Sequence, residues 1–446
     1  MNCPYINCTH TFNNELSQSI IVCDQCHGMI IKCTECGYIN QLWAIYCRAC
    51  GKIISHKKIG IDQYHPVIKP NLDNNASLGR FVKYRLGPHD RIQHYVMQAI
   101  NASILIFCGD HPEKYTDVML LHPYLQTSGT NIMTTSDLFK EDRPLLTGAA
   151  LMSDRFLFIG AQNNLFRINL PAISTANPFR MDKNIEQYDI GCNQLFHLSE
   201  PFIMIENKID NSRLRFDIWN VQKNQSIANT EENGYCSTLI NNMLIIISNH
   251  QLNFYRVDDD FSHKTTIDLE DCQPISMPFI IERNLFLLTK DNKDNKMLLK
   301  WEINEHGYPM NTNYEVVIKE SELYAINKVN NNYMLVYFFS IVTYNPVYDN
   351  EMKRFNFERG IHTSVDPSIF SSLAAIPFVN DHKSSSISVV DTNTQNYLYT
   401  TENYLKILCS PLLWGRFLYV IAQKKDNEPV ELFGYDLQCG DNECTK

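Results

Sequence analysis

The stretch "RFLFIGAQNNLFRINL", residues 155–170, decides the fold class of this chain. A short apolar run is followed by the polar turn "QNN" and then by a second run in which apolar and polar residues alternate. Two such runs, each of strand length and joined by a short polar turn, are typical of a β-hairpin. We therefore expect residues 155–170 to form two paired antiparallel strands.

The same pattern returns along the chain at offsets of 41 to 52 residues, and a further strand-like stretch such as "TGAALMS" often precedes it. Four strands in a repeat of about 40 to 50 residues are typical of a β-propeller blade. The hairpins begin at Ser103, Arg155, Pro201, Asn242, Arg283, Asn332, Ala374 and Gly415. Eight hairpins favour eight blades over residues 91–446. Seven is the alternative, because the copies at Asn332 and Ala374 are irregular.

Two of these hairpins resemble the repeats of the eight-bladed quinoprotein-like propellers, in which a strand ending in an "LYALD"-type sequence closes each hairpin. The matching stretches are "LFRINL", residues 165–170, and "LFGYDL", residues 432–437. The Gly-and-Trp docking motif of that family is absent, as are the Gly-His and Trp-Asp signatures of WD-type repeats. The resemblance therefore implies the propeller architecture and not a subfamily.

The cysteines are concentrated at the other end of the chain. Of 15 cysteines, eight lie within the first 50 residues, and the chain starts without a basic region followed by an apolar core. Clustered cysteines in a chain without a secretory signal favour metal binding in a reducing compartment over a disulfide framework. The sequence therefore predicts a cytoplasmic metalloprotein.

The stretch "CTECGYINQLWAIYCRACG", residues 33–51, contains two Cys-x-x-Cys-Gly knuckles. Each knuckle points two thiolates at one ion, and the glycine after it permits a positive φ. Cys33, Cys36, Cys47 and Cys50 are therefore expected to bind one Zn²⁺ tetrahedrally, with Zn–S distances near ~2.3 Å. Asn40, between the two knuckles, is expected in a turn.

The remaining four early cysteines predict a second structural Zn²⁺ site, formed by Cys3, Cys8, Cys23 and Cys26. Its first knuckle, "CPYINC", is looser. His10 or His27 replacing one thiolate, and a cross-braced pairing of the knuckles, remain alternatives. Cys439 and Cys444 repeat the Cys-x4-Cys spacing of this knuckle, which leaves open whether they contact a metal or form a tail with two unpaired thiols.

Residues 23–54 resemble the double zinc ribbons common in bacterial proteins, through Cys-x-x-Cys-Gly, an Asn in the turn, an aromatic residue before the third Cys and a closing Cys-Gly. The second ribbon also resembles Ran-binding-protein-type zinc fingers, although Ile31 stands where that family has Trp. We therefore expect a double zinc ribbon over residues 1–54, and a linker over residues 55–90 whose end, "GRFVKYRLG", donates a strand.

Charge and motifs restrict the function. The chain carries a net charge of −10, and the part after residue 60 has 34 Lys and Arg against 46 Asp and Glu, a net charge of −12. Nucleic-acid and anionic membrane partners are disfavoured, whereas a basic protein partner is favoured. The motifs G-x-S-x-G and H-E-x-x-H are absent, as are a phosphate-binding glycine loop and a calcium loop.

These observations predict a non-catalytic scaffold or adaptor that docks protein partners through its propeller and ribbons. The combination of ribbon and propeller resembles accessory components of bacterial multi-protein systems, including conflict systems built around MoxR-type ATPases and von Willebrand A domain proteins. One alternative is a nucleic-acid sensor that uses the ribbons and the cluster of Lys52, Lys57 and Lys58. The other is an enzyme or small-ligand binder that uses the propeller channel.

Overall fold

The structure is a computed structural model. It describes residues 11–12, 20–22, 29–33, 35–41, 78–87, 94–100, 103–112, 114–121, 132–134, 144–153, 156–169, 185–198, 201–240, 242–257, 261–320, 323–329, 332–345, 350–362, 364–370, 373–380, 384–392, 396–414 and 417–440. Every regular element in these ranges is a β-strand. No helix in the described ranges has the length and apolarity needed to span a membrane.

A small antiparallel sheet lies near the N-terminus. Its strands are β1 (Ile20–Val22), β2 (Met29–Lys32) and β3 (Ile39–Gln41), in the order β1-β2-β3. The next strand in the described residues, β4 (Leu78–Gly87), belongs to a different sheet.

Eight further antiparallel sheets follow, and each is one blade of a β-propeller. The strands of blades 1 and 2 are β5 (His94–Ile100), β6 (Ser103–Gly109), β7 (Asp117–Leu121), β8 (Ile132–Thr134), β9 (Leu146–Ser153), β10 (Phe156–Ala161), β11 (Leu165–Asn169) and β12 (Ile185–Tyr188). Those of blades 3 and 4 are β13 (Gln194–His197), β14 (Phe202–Lys208), β15 (Arg213–Asn220), β16 (Gln225–Asn233), β17 (Cys236–Ile240), β18 (Met243–Ile247), β19 (Gln251–Val257) and β20 (Phe261–Asp268).

The second half of the propeller repeats the pattern. Blades 5 and 6 contain β21 (Gln273–Pro274), β22 (Phe279–Ile281), β23 (Asn284–Lys290), β24 (Lys296–Glu302), β25 (Glu315–Glu320), β26 (Leu323–Val329), β27 (Asn332–Tyr337), β28 (Ser340–Asn345) and β29 (Asn350–Asn356). Blades 7 and 8 contain β30 (Ser368–Phe370), β31 (Leu373–Val379), β32 (Ser385–Asp391), β33 (Asn396–Thr400), β34 (Lys406–Ile407), β35 (Leu412–Trp414), β36 (Phe417–Gln423) and β37 (Val430–Gly440).

The prediction of eight blades is confirmed, and the alternative of seven is wrong. Each hairpin seen in the sequence is the middle pair of strands of one blade, including the two that were irregular in sequence. The copy at Asn332 forms β27 and β28, and the copy at Ala374 lies in β31 and β32. The pairing of the two middle strands is uninterrupted in both blades, so the irregular sequence does not break the blade.

Blade 8 takes its outer strand from the other end of the propeller sequence. Strand β4 pairs antiparallel with β37, with Tyr84 opposite Leu432 and Lys83 opposite Phe433. The stretch "GRFVKYRLG" therefore does form a strand, as expected. Because its partner is the last strand of the described residues, backbone hydrogen bonds join the two ends of the propeller sequence. Cys439 lies within β37, and Cys444 lies outside the described residues.

The chain divides into two compact units. One contains blades 1, 7 and 8, most of blade 2 and the N-terminal sheet, and the other contains blades 3 to 6 with a short piece of blade 2. In the second unit, all five residues of β18 are buried, since the strand packs against neighbours on both faces. Ile245 points into the core between blades 4 and 5, and Leu244 points into the core between blades 3 and 4. This two-sided burial explains the continuous apolar runs of the sequence.

Candidate functional site

The knuckle of Cys33 and Cys36 is the one predicted zinc knuckle whose two cysteines both lie within the described residues. It forms the turn between β2 and β3, where the Cys33 N–H donates to the Tyr38 carbonyl at 2.8 Å and the Gly37 N–H donates to the Cys33 carbonyl at 2.9 Å. Gly37 has φ of +72°, the left-handed conformation predicted for the residue after a knuckle. Soft thiolates are ligands that zinc favours, so the backbone and the chemistry of Cys33 and Cys36 both fit the ion.

Asn40 does not lie in a turn, so that prediction is wrong. It lies in β3, opposite Ile31, and its side chain is buried. Its Nδ2 donates to the Tyr38 carbonyl at 3.1 Å, next to the knuckle. The turn of the hairpin is made by the knuckle itself, which leaves Asn40 to satisfy a carbonyl from within the strand.

The other six predicted zinc ligands lie outside the described residues: Cys3, Cys8, Cys23, Cys26, Cys47 and Cys50. The same holds for His10, His27 and the Lys52, Lys57 and Lys58 cluster. Within the described ranges, no three His, Cys, Asp or Glu side chains gather as a metal site would require. Both zinc sites therefore stay predictions from the sequence.

Two exposed phenylalanines form the tip of the blade 6 hairpin, a feature we call the aromatic tip. Phe338 and Phe339 occupy the two-residue turn between β27 and β28, closed by the pair Tyr337 and Ser340. Their exposed fractions are 45% and 54%, and their rings meet edge to face with centroids 4.6 Å apart. Tight turns usually hold Gly, Asn, Asp or Pro, because these residues suit the required backbone. Two Phe residues offer no such advantage to the backbone of the turn, and their side chains remain about half exposed to solvent.

The aromatic tip is held in place by the chain that follows blade 6. The Phe357 N–H donates to the Phe339 carbonyl at 2.7 Å. Gly360 lies under the Phe338 ring so closely that a Cβ at this glycine would come within 2.5 Å of it. The tip is therefore a positioned surface element, and such pre-organisation lowers the entropy cost of binding a partner.

A cleft of about 480 Å³ opens in the unit that contains blades 3 to 6. It lies where the turn between β17 and β18 approaches the turn between β22 and β23 and the segment that follows β24. Ile240, Ile280 and Ile303 supply its apolar surface, and they are continuous with the core between blades 4 and 5. Ligand sites commonly have volumes of about 300 to 1,000 Å³.

The rim of this cleft is charged. Its ionisable side chains belong to Arg256, Glu282, Arg283, Glu305 and His306. Sequence reasoning missed the cleft, since these residues come from separate strands and loops and form no motif. The only signal was the adjacent pair of opposite charges at residues 282 and 283, which follows an apolar strand.

One acidic side chain is buried between blades 3 and 4. Glu206, on β14, is 4% exposed and accepts a hydrogen bond from the Ser237 hydroxyl on β17. Burial raises the pKa of Glu206 from 4.5 to about 7, although the Ser237 hydrogen bond and the Lys208 ammonium act to lower it. Burial of Cys236 itself raises the pKa of its thiol to about 11, and the nearby Glu206 charge acts in the same direction.

A serine and a histidine in hydrogen-bond contact lie between blades 6 and 7 along the chain. The Ser364 hydroxyl is 3.1 Å from Nδ1 of His362, and the Ser364 N–H donates to the same nitrogen at 3.3 Å. A backbone donor on Nδ1 closes a local turn. The nitrogen is therefore occupied as a structural acceptor, and among the described residues no buried carboxylate bonds the His362 ring as the third group of a catalytic triad would.

The comparisons with known proteins show a fold and no activity. The chain is similar to the crystal structure of the computationally designed Ika8 protein, with a TM-score of 0.51 and 8% identity over 79% of this chain and 98% of that chain. In all, 843 chains of solved structures match, so the fold is widely shared and does not by itself assign a function. No protein-family model matches the sequence, and no curated protein matches it either. The chain is an eight-bladed β-propeller.

Proposed function

We propose that this protein is a non-catalytic scaffold that docks a protein partner on its propeller. The aromatic tip of Phe338 and Phe339 carries this proposal. Interface hot spots are enriched in aromatic anchors that become fully desolvated on binding. Fully burying an exposed Phe contributes about 1.5 to 3 kcal/mol, so two half-exposed rings together also offer roughly 1.5 to 3 kcal/mol to a partner with a matching pocket.

Electrostatics favour a basic partner. The residues after position 60 carry a net charge of −12, so the propeller sequence attracts positively charged surfaces and speeds their encounter. Nucleic acid, which is negatively charged, would be repelled. The proposed partner is therefore a protein that combines an apolar pocket for the aromatic tip with surrounding Lys and Arg.

The zinc ribbons complete the proposed scaffold. Two structural Zn²⁺ ions, each held by four thiolates, would fold residues 1–54 and leave no coordination position for water or substrate. The ribbons would then be a second docking element in a cytoplasmic protein. The combination of ribbons and propeller supports a place as accessory subunit of a bacterial multi-component system, such as a conflict or ATPase-associated system.

The test is affinity purification of the tagged full-length chain from its native host, with mass spectrometry of the proteins that co-purify. A variant with both Phe338→Ser and Phe339→Ser is compared with wild type. The matched control, Ile227→Ser with Val316→Ser, also removes two exposed apolar side chains, which lie on outer strands of other blades and are 40% and 44% exposed. Cys33→Ser tests the ribbons in the same way.

We expect a stoichiometric partner that the control variant retains and the aromatic-tip variant loses. Loss with Cys33→Ser alone would move the docking element from the propeller to the ribbons and contradict the role of the tip. Purification without any protein partner, or with nucleic acid instead, would overturn the scaffold proposal.

A further inference from the structure

The charged cleft of blades 4 and 5 contains two opposite charges that the fold itself does not use. Glu282 and Arg283 form the turn between β22 and β23, and both side chains are exposed at the cleft. Neither side chain makes a hydrogen bond or ion pair with another described residue. The backbone around them is engaged, since the Ile303 N–H donates to the Arg283 carbonyl at 2.9 Å. The backbone of the turn is therefore fixed, and the two side chains remain available to a ligand.

Glu282 also occupies a costly conformation. Its φ is +53°, in the left-handed region that Gly and Asn adopt readily and that other residues adopt only at an energetic cost. The turn would be more stable with Gly or Asn at this position. An unpaired carboxylate held at such a position is better explained by contact with a ligand than by stability of the turn.

The remaining polar groups of the cleft are partly engaged with one another. Asn304 Oδ1 accepts from the N–H groups of His306 and Tyr308, at 2.9 Å and 3.1 Å, which fixes the loop after β24. The Glu305 Oε1 atom lies 3.6 Å from His306 Nε2. These contacts shape one wall of the cleft. Arg256, on β19, places a second guanidinium at the rim.

Charge balance identifies the class of ligand. The cleft has two Arg and two Glu side chains around an apolar surface formed by Ile240, Ile280 and Ile303. A simple anion would be repelled by the carboxylates, and a simple cation by the guanidiniums. A zwitterion satisfies both, because a guanidinium binds a carboxylate with two parallel hydrogen bonds and a carboxylate binds an ammonium.

We propose that this cleft binds a small zwitterion with apolar side chains, either a free α-amino acid or a dipeptide. Arg283 and Arg256 bind the carboxylate, Glu282 binds the ammonium group, and the isoleucines bury the aliphatic side chain. The proposal is independent of the docking role of the aromatic tip, since no residue is shared between the two sites.

The experiment is isothermal titration calorimetry of the full-length protein with L-leucine and with the dipeptide Leu-Leu. N-acetyl-L-leucine lacks the ammonium group, and L-leucinamide lacks the carboxylate. We expect saturable binding of L-leucine or the dipeptide, and at least about tenfold weaker binding of both blocked compounds, because each has lost one partner of a charge-assisted hydrogen bond. Tighter binding of Leu-Leu would identify a peptide as the source, and tighter binding of L-leucine would identify the free amino acid.

Variants separate recognition from folding. Arg283→Gln and Glu282→Gln should each weaken binding by about tenfold or more while leaving the circular dichroism spectrum and melting temperature close to wild type, because both side chains are exposed and unpaired. Glu320→Gln, an exposed acid on β25 away from the cleft, should bind as wild type does. Absence of saturable heat with both probes up to millimolar concentration would overturn the proposal. So would equal binding of L-leucine and L-leucinamide, or binding that neither cleft variant changes.

Discussion

Replacing Glu206 by Gln should make the protein more stable at neutral pH and leave it unchanged in acid. Glu206 is 4% exposed between blades 3 and 4, and burial raises its pKa to about 7 from the 4.5 of a solvated carboxyl. Gln keeps a carbonyl oxygen that can accept the Ser237 hydrogen bond, and it carries no charge at any pH. The substitution therefore removes the ionisation and preserves the contact.

The sign of the stability change follows from the pH at which Glu206 loses its proton in the folded and in the unfolded chain. Below pH 4.5 the folded and unfolded chains both hold it, so Glu206 contributes no pH dependence. Between pH 4.5 and about 7 only the unfolded chain loses it, and the free energy of unfolding falls by about 1.4 kcal/mol per pH unit. Over this window the loss reaches about 3 kcal/mol, and it is complete once the pH exceeds the folded pKa.

The assay is urea denaturation followed by circular dichroism, repeated from pH 4.5 to 8.5 for wild type and Glu206→Gln. We expect the two free energies of unfolding to coincide near pH 4.5 and to separate by about 3 kcal/mol in favour of Gln by pH 8. Glu320→Gln, which removes an exposed acid, should give a profile parallel to that of wild type. Parallel profiles for Glu206→Gln and wild type would refute the reasoning, and so would a variant less stable than wild type above pH 7.

Three other perturbations test the metal module, the aromatic tip and the closing strand. Elemental analysis of the purified protein should give two zinc ions per chain, and the double variant with Cys33→Ser and Cys36→Ser should give one. An unchanged number of zinc ions per chain would contradict the proposed ligand set. Gly360→Ala places a methyl group 2.5 Å from the Phe338 ring, which must rotate into solvent to relieve the contact and so loses its position. We therefore expect less than about 1 kcal/mol of destabilisation by thermal melting but weaker partner binding by pull-down. Removing residues 1–90 deletes β4, which leaves β37 without its partner and should abolish cooperative melting. Removing residues 1–70 retains β4 and should preserve cooperative melting. Equal melting of the two truncated proteins would contradict the role of this strand.

Local sequence patterns were sufficient for the blades and for the knuckle. A strand buried on both faces needs a continuous apolar run, and a hairpin needs a polar turn, so eight hairpins could be counted without any structure. The left-handed conformation of Gly37 was predictable in the same way, because the backbone after a Cys-x-x-Cys knuckle demands it. Asn40 shows the limit of such reasoning, since its residue type favours a turn and its position in the sheet places it in a strand.

The tertiary structure alone decided which distant residues meet. Glu206 and Ser237 are 31 positions apart, and their contact exists because two blades pack face to face. Arg256 and Arg283 reach one cleft from different blades, and β4 pairs with β37 from the opposite end of the chain. The periodicity of side chains fixes a strand and its buried faces, since it depends on neighbours in sequence. The faces that meet depend on which blades pack against each other, which no local pattern encodes.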